Sequence, residues 1–170
     1  MDKNEEGTTM ITAPEGVEDD FNIRIVGNYY NIEEVPEEYR QYVEEIVEIK
    51  GISTYTFNYA KVIKGNYNDT LYVYMNNIDD TMRFEIRIYP QEIQRVRETY
   101  PGYTFEKEFE DEGICFDVFS KKEVSGVNTY IMYFYYGKEK YIVVGRMTED
   151  TIRDIVIDYK NIVLNYEEKK

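Results

Sequence analysis

Carboxylates are the side chains best placed to carry chemistry in this chain. The run EKEFEDEG at 106–113 gathers Glu106, Glu108, Glu110, Asp111 and Glu112, and IDDT at 78–81 sets Asp79 beside Asp80. Such groups can offer oxygen ligands to a hard cation such as calcium, or an acid and a base for hydrolysis. Neither run has the spacing of a defined coordination loop, and nothing selects two carboxylates for the acid and base roles. Both read as solvated acidic loops. There is no histidine, which removes the commonest general base, the Ser-His-Asp and Cys-His relays and the imidazole ligands of most catalytic zinc sites. Cys115, the single cysteine, lies beside Phe116 in a predicted strand and reads as a small buried hydrophobe. No GxGxxG, P-loop or EF-hand pattern occurs, and the glycines are too scattered to cradle a phosphate. The sequence therefore offers no catalytic, cofactor-binding or metal-ligating set, and the expectation is a protein that is not an enzyme and uses no cofactor.

Charge narrows the partners. The formal net charge is −14. Residues 1–50 hold 14 acidic and 4 basic side chains, whereas residues 51–170 hold 20 and 16. The Lys and Arg clusters that contact phosphates are missing, which argues against direct binding to nucleic acid or to an anionic lipid surface. No uninterrupted apolar run approaches the roughly 18–20 residues that span a bilayer. The lone cysteine excludes an internal disulfide.

These side chains must be positioned by a predicted α+β scaffold. Residues 1–20 are acidic and polar and read as a flexible lead-in or tether, leaving 21–170 as one domain. FNIRIVG (21–27) alternates as a short strand. The segment from Pro36 to Gly51 predicts an amphipathic helix with Tyr39, Tyr42, Val43, Ile46 and Val47 inward and Glu37, Glu38, Glu44, Glu45 and Glu48 outward. From residue 52 the period becomes two. TYTFNYAKV places Tyr55, Phe57 and Tyr59 on one side; LYVYM follows; TMRFEIRIY turns Met82, Phe84, Ile86 and Ile88 one way and Arg83, Glu85 and Arg87 toward a wet face. PQEIQRVRETY predicts a short helix with Ile93, Val96 and Tyr100 inward, stopped by Pro101-Gly102.

A shift of 59 residues lays 55–100 on 114–159 without a gap and matches Phe57 with Phe116, Thr70 with Thr129, Tyr74 with Tyr133, Arg87 with Arg146, Ile93 with Ile152 and Tyr100 with Tyr159. The elements match in order as well, which predicts two βββα repeats (about 52–100 and 111–160) sharing one antiparallel sheet or two packed sheets, with helices packed on one side. The closing helix is capped by Thr148 or Asp150 and carries Ile152, Ile155, Val156 and Tyr159 as its stripe; the tail NIVLNYEEKK extends it or returns as a strand.

The run YIMYFYYGKEKYIVVGRM (130–147) reads as a hairpin whose first strand is apolar on both faces: Tyr130, Met132, Phe134 and Tyr136 against Ile131, Tyr133 and Tyr135. Such a strand belongs in the middle of a sheet, or against a partner. Most of its rings read as core. The functional reading makes Tyr72, Tyr74, Tyr133 and Tyr135 an exposed aromatic patch for a partner.

The order PGYTFEKEFEDEGICFDVFS, NTYIMYFYYGKEKYIVVGRM, TEDTIRDIV across 101–160 resembles a domain of unknown function of Gram-positive bacteria. That domain occurs outside the membrane, in lipoproteins and behind anti-sigma-factor-like anchors. The matching features are Gly102-Tyr103, the Tyr141-to-Gly145 step, and Thr148-Glu149-Asp150 followed by Ile152, over about a third of the chain. The resemblance implies an extracytoplasmic sensory or binding module without catalytic residues, and it transfers no site.

The leading expectation is thus a non-enzymatic binding or sensory module of a Gram-positive bacterium, a lipoprotein or membrane-anchored ectodomain. It would be tethered through its acidic lead-in and would meet a membrane only through an anchor outside these 170 residues. Its ligand is an unknown protein or small molecule. The alternative is an acidic cytoplasmic inhibitor whose Glu37, Glu38, Glu44, Glu45 and Glu48 imitate DNA phosphates toward a basic nucleic-acid-binding partner. A third option is a carrier that cups a hydrophobic ligand in a curved aromatic sheet.

Overall fold

Alternating β-branched or aromatic and polar residues extend most of this chain into strands. The structure, a computed structural model, describes residues 8–10 and 22–168. Among the described residues nine strands form one sheet: β1 (Thr8–Met10), β2 (Asn22–Tyr29), β3 (Thr56–Gly65), β4 (Asp69–Asn76), β5 (Thr81–Ile88), β6 (Thr104–Asp111), β7 (Ile114–Lys121), β8 (Thr129–Tyr136) and β9 (Glu139–Arg146). Their order is β1-β2-β3-β4-β5-β9-β8-β7-β6, with every neighbouring pair antiparallel. Short turns close the pairs β3–β4, β4–β5, β6–β7 and β8–β9, whereas the segment between β2 and β3 holds a helix. Glu112 and Gly113 take φ of 52° and 85° between β6 and β7, the left-handed backbone that a two-residue hairpin of right-twisted strands requires.

Helices α1 (Glu37–Val47) and α2 (Glu149–Glu168) both pack on one face of the sheet. In α2 the stripe Ile152, Ile155, Val156 and Tyr159 is buried as its spacing predicts, and Val163 continues it. The Thr151 amide donates to the Thr148 hydroxyl at 3.2 Å and caps the helix start. The open question of the tail resolves as helix, because α2 runs on through 161–168. Tyr159 meets Phe84, Phe134 and Tyr141 edge-on. Each fully buried Val, Ile, Phe or Met of this layer contributes roughly 1.5–3 kcal/mol. No helix of the described residues is long and apolar enough to cross a membrane.

The α+β class and the antiparallel sheet with helices on one side agree with the sequence reading; other expectations change. Three residues of the expected lead-in form β1 on the edge of β2, and the rest of 1–20 lies outside the described residues. No helix follows β5: residues 91–100 run irregularly, so the first unit is not βββα. Val47 is exposed at the end of α1. A bulge between Phe57 and Tyr59 turns Tyr59 to the opposite face from Phe57. The supposed wet face of β5 is partly covered, and Glu85 is buried there.

Candidate functional site

The sheet face away from the helices is divided into two halves by residues 91–103. Over β9, β8 and β7 this segment lies as a strap, closing a second small core of Phe119, Ile131, Tyr133 and Ile142 beneath Tyr100 and Tyr103. The strap replaces the helix expected here. Its helical stripe holds only Ile93, Val96 and Tyr100, while the sheet offers side-chain partners to an irregular backbone. The Tyr135 hydroxyl donates to the Val96 carbonyl at 2.9 Å, and the Glu98 amide donates to the Tyr133 hydroxyl at 3.1 Å.

Charges complete the fastening. Arg87 and Lys140 stand opposite each other on β5 and β9, and both point at Glu98 of the strap, at 3.1 and 2.7 Å. Lys140 is 0% exposed. Its ammonium lies 3.9 Å from the centre of the Tyr133 ring and donates to the Tyr100 hydroxyl at 3.1 Å. Burial pulls its pKa down to about 8, although Glu98 works in the other direction. Burial would raise the Glu98 carboxyl, but Lys140 and Arg87 outweigh it and hold the pKa below the ordinary value. Burial, reinforced by Glu98, pushes the Tyr100 hydroxyl well up, and burial lifts Tyr135 to about 12. Asp117, also 0% exposed, accepts from the Tyr133 hydroxyl at 2.8 Å and pairs with Arg95 and, at 3.6 Å, with Arg97. This cluster is saturated with internal partners and fastens the strap.

The other half, over β2 to β5, is left uncovered by the described residues. Tyr30, Tyr59 and Tyr74 run across the strands with ring centres 5.7 and 4.5 Å apart, and Tyr72 follows along β4 at 6.3 Å. Tyr30 is 63% exposed, and the other three are half-buried. Two cations border the row. Lys61 lies opposite Tyr72, 5.5 Å from its ring centre, and has no ion pair among the described residues. Arg83 lies opposite Tyr74, 3.9 Å from Glu85, and its Nε has no hydrogen-bond partner among the described residues. Glu85 gives its closer contact, 3.0 Å, to Arg87.

The expected aromatic patch is therefore split. Tyr72 and Tyr74 stand together on the open half, whereas Tyr133 is completely buried and Tyr135 lies under the strap. Tyr30, Tyr59, Lys61 and Arg83 were missed as neighbours of Tyr72 and Tyr74, because the bulge in β3 breaks the alternation that would place Tyr59 among them. On the helix side, Glu37, Glu38, Glu44 and Glu48 are exposed on α1 as expected. Glu45 is not: three residues after Tyr42, it falls on the inward flank and is buried. There it adds to the burial that raises Tyr141 and Tyr159.

The run at 106–113 is not a loop: residues up to Asp111 belong to the edge strand β6, which pairs with β7, and the carboxylates of both runs are divided among separate partners. Asp111 and Glu112 hold the buried Lys160 of α2 at 2.7 and 2.8 Å, Asp80 pairs with Arg146 at 3.2 Å, and Glu108 pairs with Arg95 at 2.7 Å. Among the described residues no group of three acidic, histidine or cysteine side chains is placed to hold a metal ion. Surface clefts occur at hairpin ends, such as one of about 230 Å³ between 65–69 and 88–90. Another, of about 620 Å³, is lined by Glu92 and residues 136–139; neither is lined by a tyrosine of the row, and the sheet face is taken as the candidate for recognition. Comparison with family models, curated proteins and solved structures finds no match to this chain.

Proposed function

We propose that this chain is a non-enzymatic binding module whose recognition surface is the open half of the sheet, the row Tyr30, Tyr59, Tyr74 and Tyr72. One observation carries this reading. Among the described residues, the same sheet face is sealed by the strap over β7 to β9, yet is left bare over β2 to β5, where four tyrosines and two incompletely paired cations lie together. Tyrosine gives flat contact area with a polar tip at little entropic cost.

The resemblance across 101–160 supports an extracytoplasmic location in a Gram-positive bacterium. Protease treatment of intact cells of the source organism, which removes an outside protein and spares a cytoplasmic one, tests it. The 59-residue shift carries β3, β4 and β5 onto β7, β8 and β9, strands that take equivalent places on either side of the β5–β9 pair. This supports descent from two three-strand units, only the second of which keeps its helix.

A second reading is favoured by the exposed carboxylates of α1. Glu37, Glu38, Glu44 and Glu48 form an acidic surface on the helix side suited to a basic protein, as in a DNA mimic. Interferometry against defined peptides, oligosaccharides and basic proteins separates the two. Replacing Tyr59 and Tyr74 by Ser abolishes binding in the first reading and spares it in the second, and replacing the four glutamates by Gln does the reverse. Binding that survives the tyrosine substitutions refutes the first reading.

A further inference from the structure

The geometry points to an extended, acidic peptide segment of a partner protein as the ligand of the open half. This rests on the tyrosine row being the recognition surface, and it goes further by naming what lies on it.

The strap is an internal example of what this sheet face holds. Residues 91–100 form no backbone ladder with any strand and are retained by side chains alone. Three devices recur: tyrosine hydroxyls meeting peptide groups at Val96 and Glu98, cations gripping the Glu98 carboxylate, and Tyr100 set edge-on against Phe119 with ring centres 5.1 Å apart. The open half offers the same devices with none of the described residues across them. Tyr59, Tyr74 and Tyr72 supply rings and hydroxyls, and Lys61 and Arg83 supply the cations.

Charge selects the sign of the ligand. Of the carboxylates on this face, Glu85 and Glu98 are both engaged by Arg87, and Glu98 also by Lys140. Among the described residues of this face, Lys61 and Arg83 are left as a local positive excess on a chain of net charge −14. A carboxylate arriving between them reaches the Arg83 side chain, which is 37% exposed, and a neighbouring aromatic residue stacks on the row. About five extended residues, at about 3.3 Å each, cross from Tyr30 to Arg83. A bound nucleic acid strand would also use rings and cations, but its dense phosphate charge opposes the net charge of this protein more strongly than a few carboxylates do.

The test is calorimetric titration of the whole chain with four probes: a random copolymer of glutamate and tyrosine, polyglutamate, an oligogalacturonate and a thymidine dodecanucleotide. The copolymer is expected to bind, polyglutamate at least about tenfold more weakly, and the other two more weakly still. Replacing Lys61 and Arg83 by Gln weakens the copolymer at least about tenfold and flattens its salt dependence; circular dichroism verifies the fold of the variant. Replacing Glu37 and Glu44 by Gln leaves the affinity unchanged. Copolymer binding that ignores the Lys61 and Arg83 substitutions overturns the inference. Tighter binding of the uronate or the oligonucleotide, if lost in Tyr59→Ser, overturns it while leaving the tyrosine row as the recognition surface. No binding by any probe removes the acidic ligand, and binding of any probe that is indifferent to Tyr59→Ser removes the row itself.

Discussion

Replacing Lys140 by Met should change how stability responds to pH. In the folded protein the ammonium is buried among the rings of Tyr100, Tyr133 and Tyr135, with Glu98, Arg87 and Glu85 as its charged neighbours. Its pKa is about 8, against an ordinary 10.5 in an unfolded chain. From about pH 8 to 10.5 the unfolded chain therefore binds more protons than the folded one, and stability from this group rises with pH. Below pH 8 both states are protonated and the buried charge is a constant cost. Between pH 7 and 9.5 the gain amounts to about 2 kcal/mol. Other lysines and tyrosines titrate near the upper end, so the quantity to measure is a difference. Urea unfolding followed by circular dichroism gives the stability of the native protein minus that of Lys140→Met at each pH. Methionine keeps the length and apolar stem of the lysine. The difference should grow by about 2 kcal/mol in favour of the native protein from pH 7 to 9.5. A difference that stays flat or shrinks would show that the ammonium is not desolvated, and would refute the picture of a lysine sealed under the strap.

Asp117→Asn removes the carboxylate that anchors Arg95 and Arg97, costs about 2–4 kcal/mol, and speeds tryptic cleavage after these two arginines; an unchanged cleavage rate would mean that the strap is held by its other contacts. In Gly51→Ala the new methyl group would stand 2.8 Å from Cγ1 of the packed Ile155, so thermal unfolding should report a loss of about 1–2 kcal/mol. Phe134→Ala empties the centre of the helix-facing core and costs about 3–5 kcal/mol. By contrast Tyr30→Ser, at an exposed ring, stays within about 0.5 kcal/mol in the same denaturant titration, so the row can be altered without unfolding the protein.

Local periodicity was enough to read most of the strands and both helices. The alternation in TMRFEIRIY and TYIMYFYY and the stripe of α2 are direct consequences of side-chain direction, which needs no knowledge of neighbours. So is the acidic surface of α1, apart from Glu45, whose position on the helix flank let a packed neighbour decide its burial. The two-sided apolar strand β8 was also legible as one that needs cover on both faces. What supplied the second cover was not. A helix was expected at 91–100, and a strap formed there because Tyr133, Tyr135, Asp117 and Lys140 lie where only the folded sheet could bring them.

Composition and spacing by themselves determined the α+β class, the faces of regular strands such as β5 and β8, the acidic face of α1 and the absence of histidine, since each follows from residue type or from a fixed repeat of two or about 3.6 residues. Only the tertiary structure decided which tyrosines are buried and which face solvent. Tyr74 and Tyr133 are equivalent under the 59-residue shift and sit on the same sheet face, yet one stands in the open row and the other is sealed beneath the strap. Exposure is a property of what lies above a side chain, and that is set by long-range packing and ion pairs that local sequence does not encode.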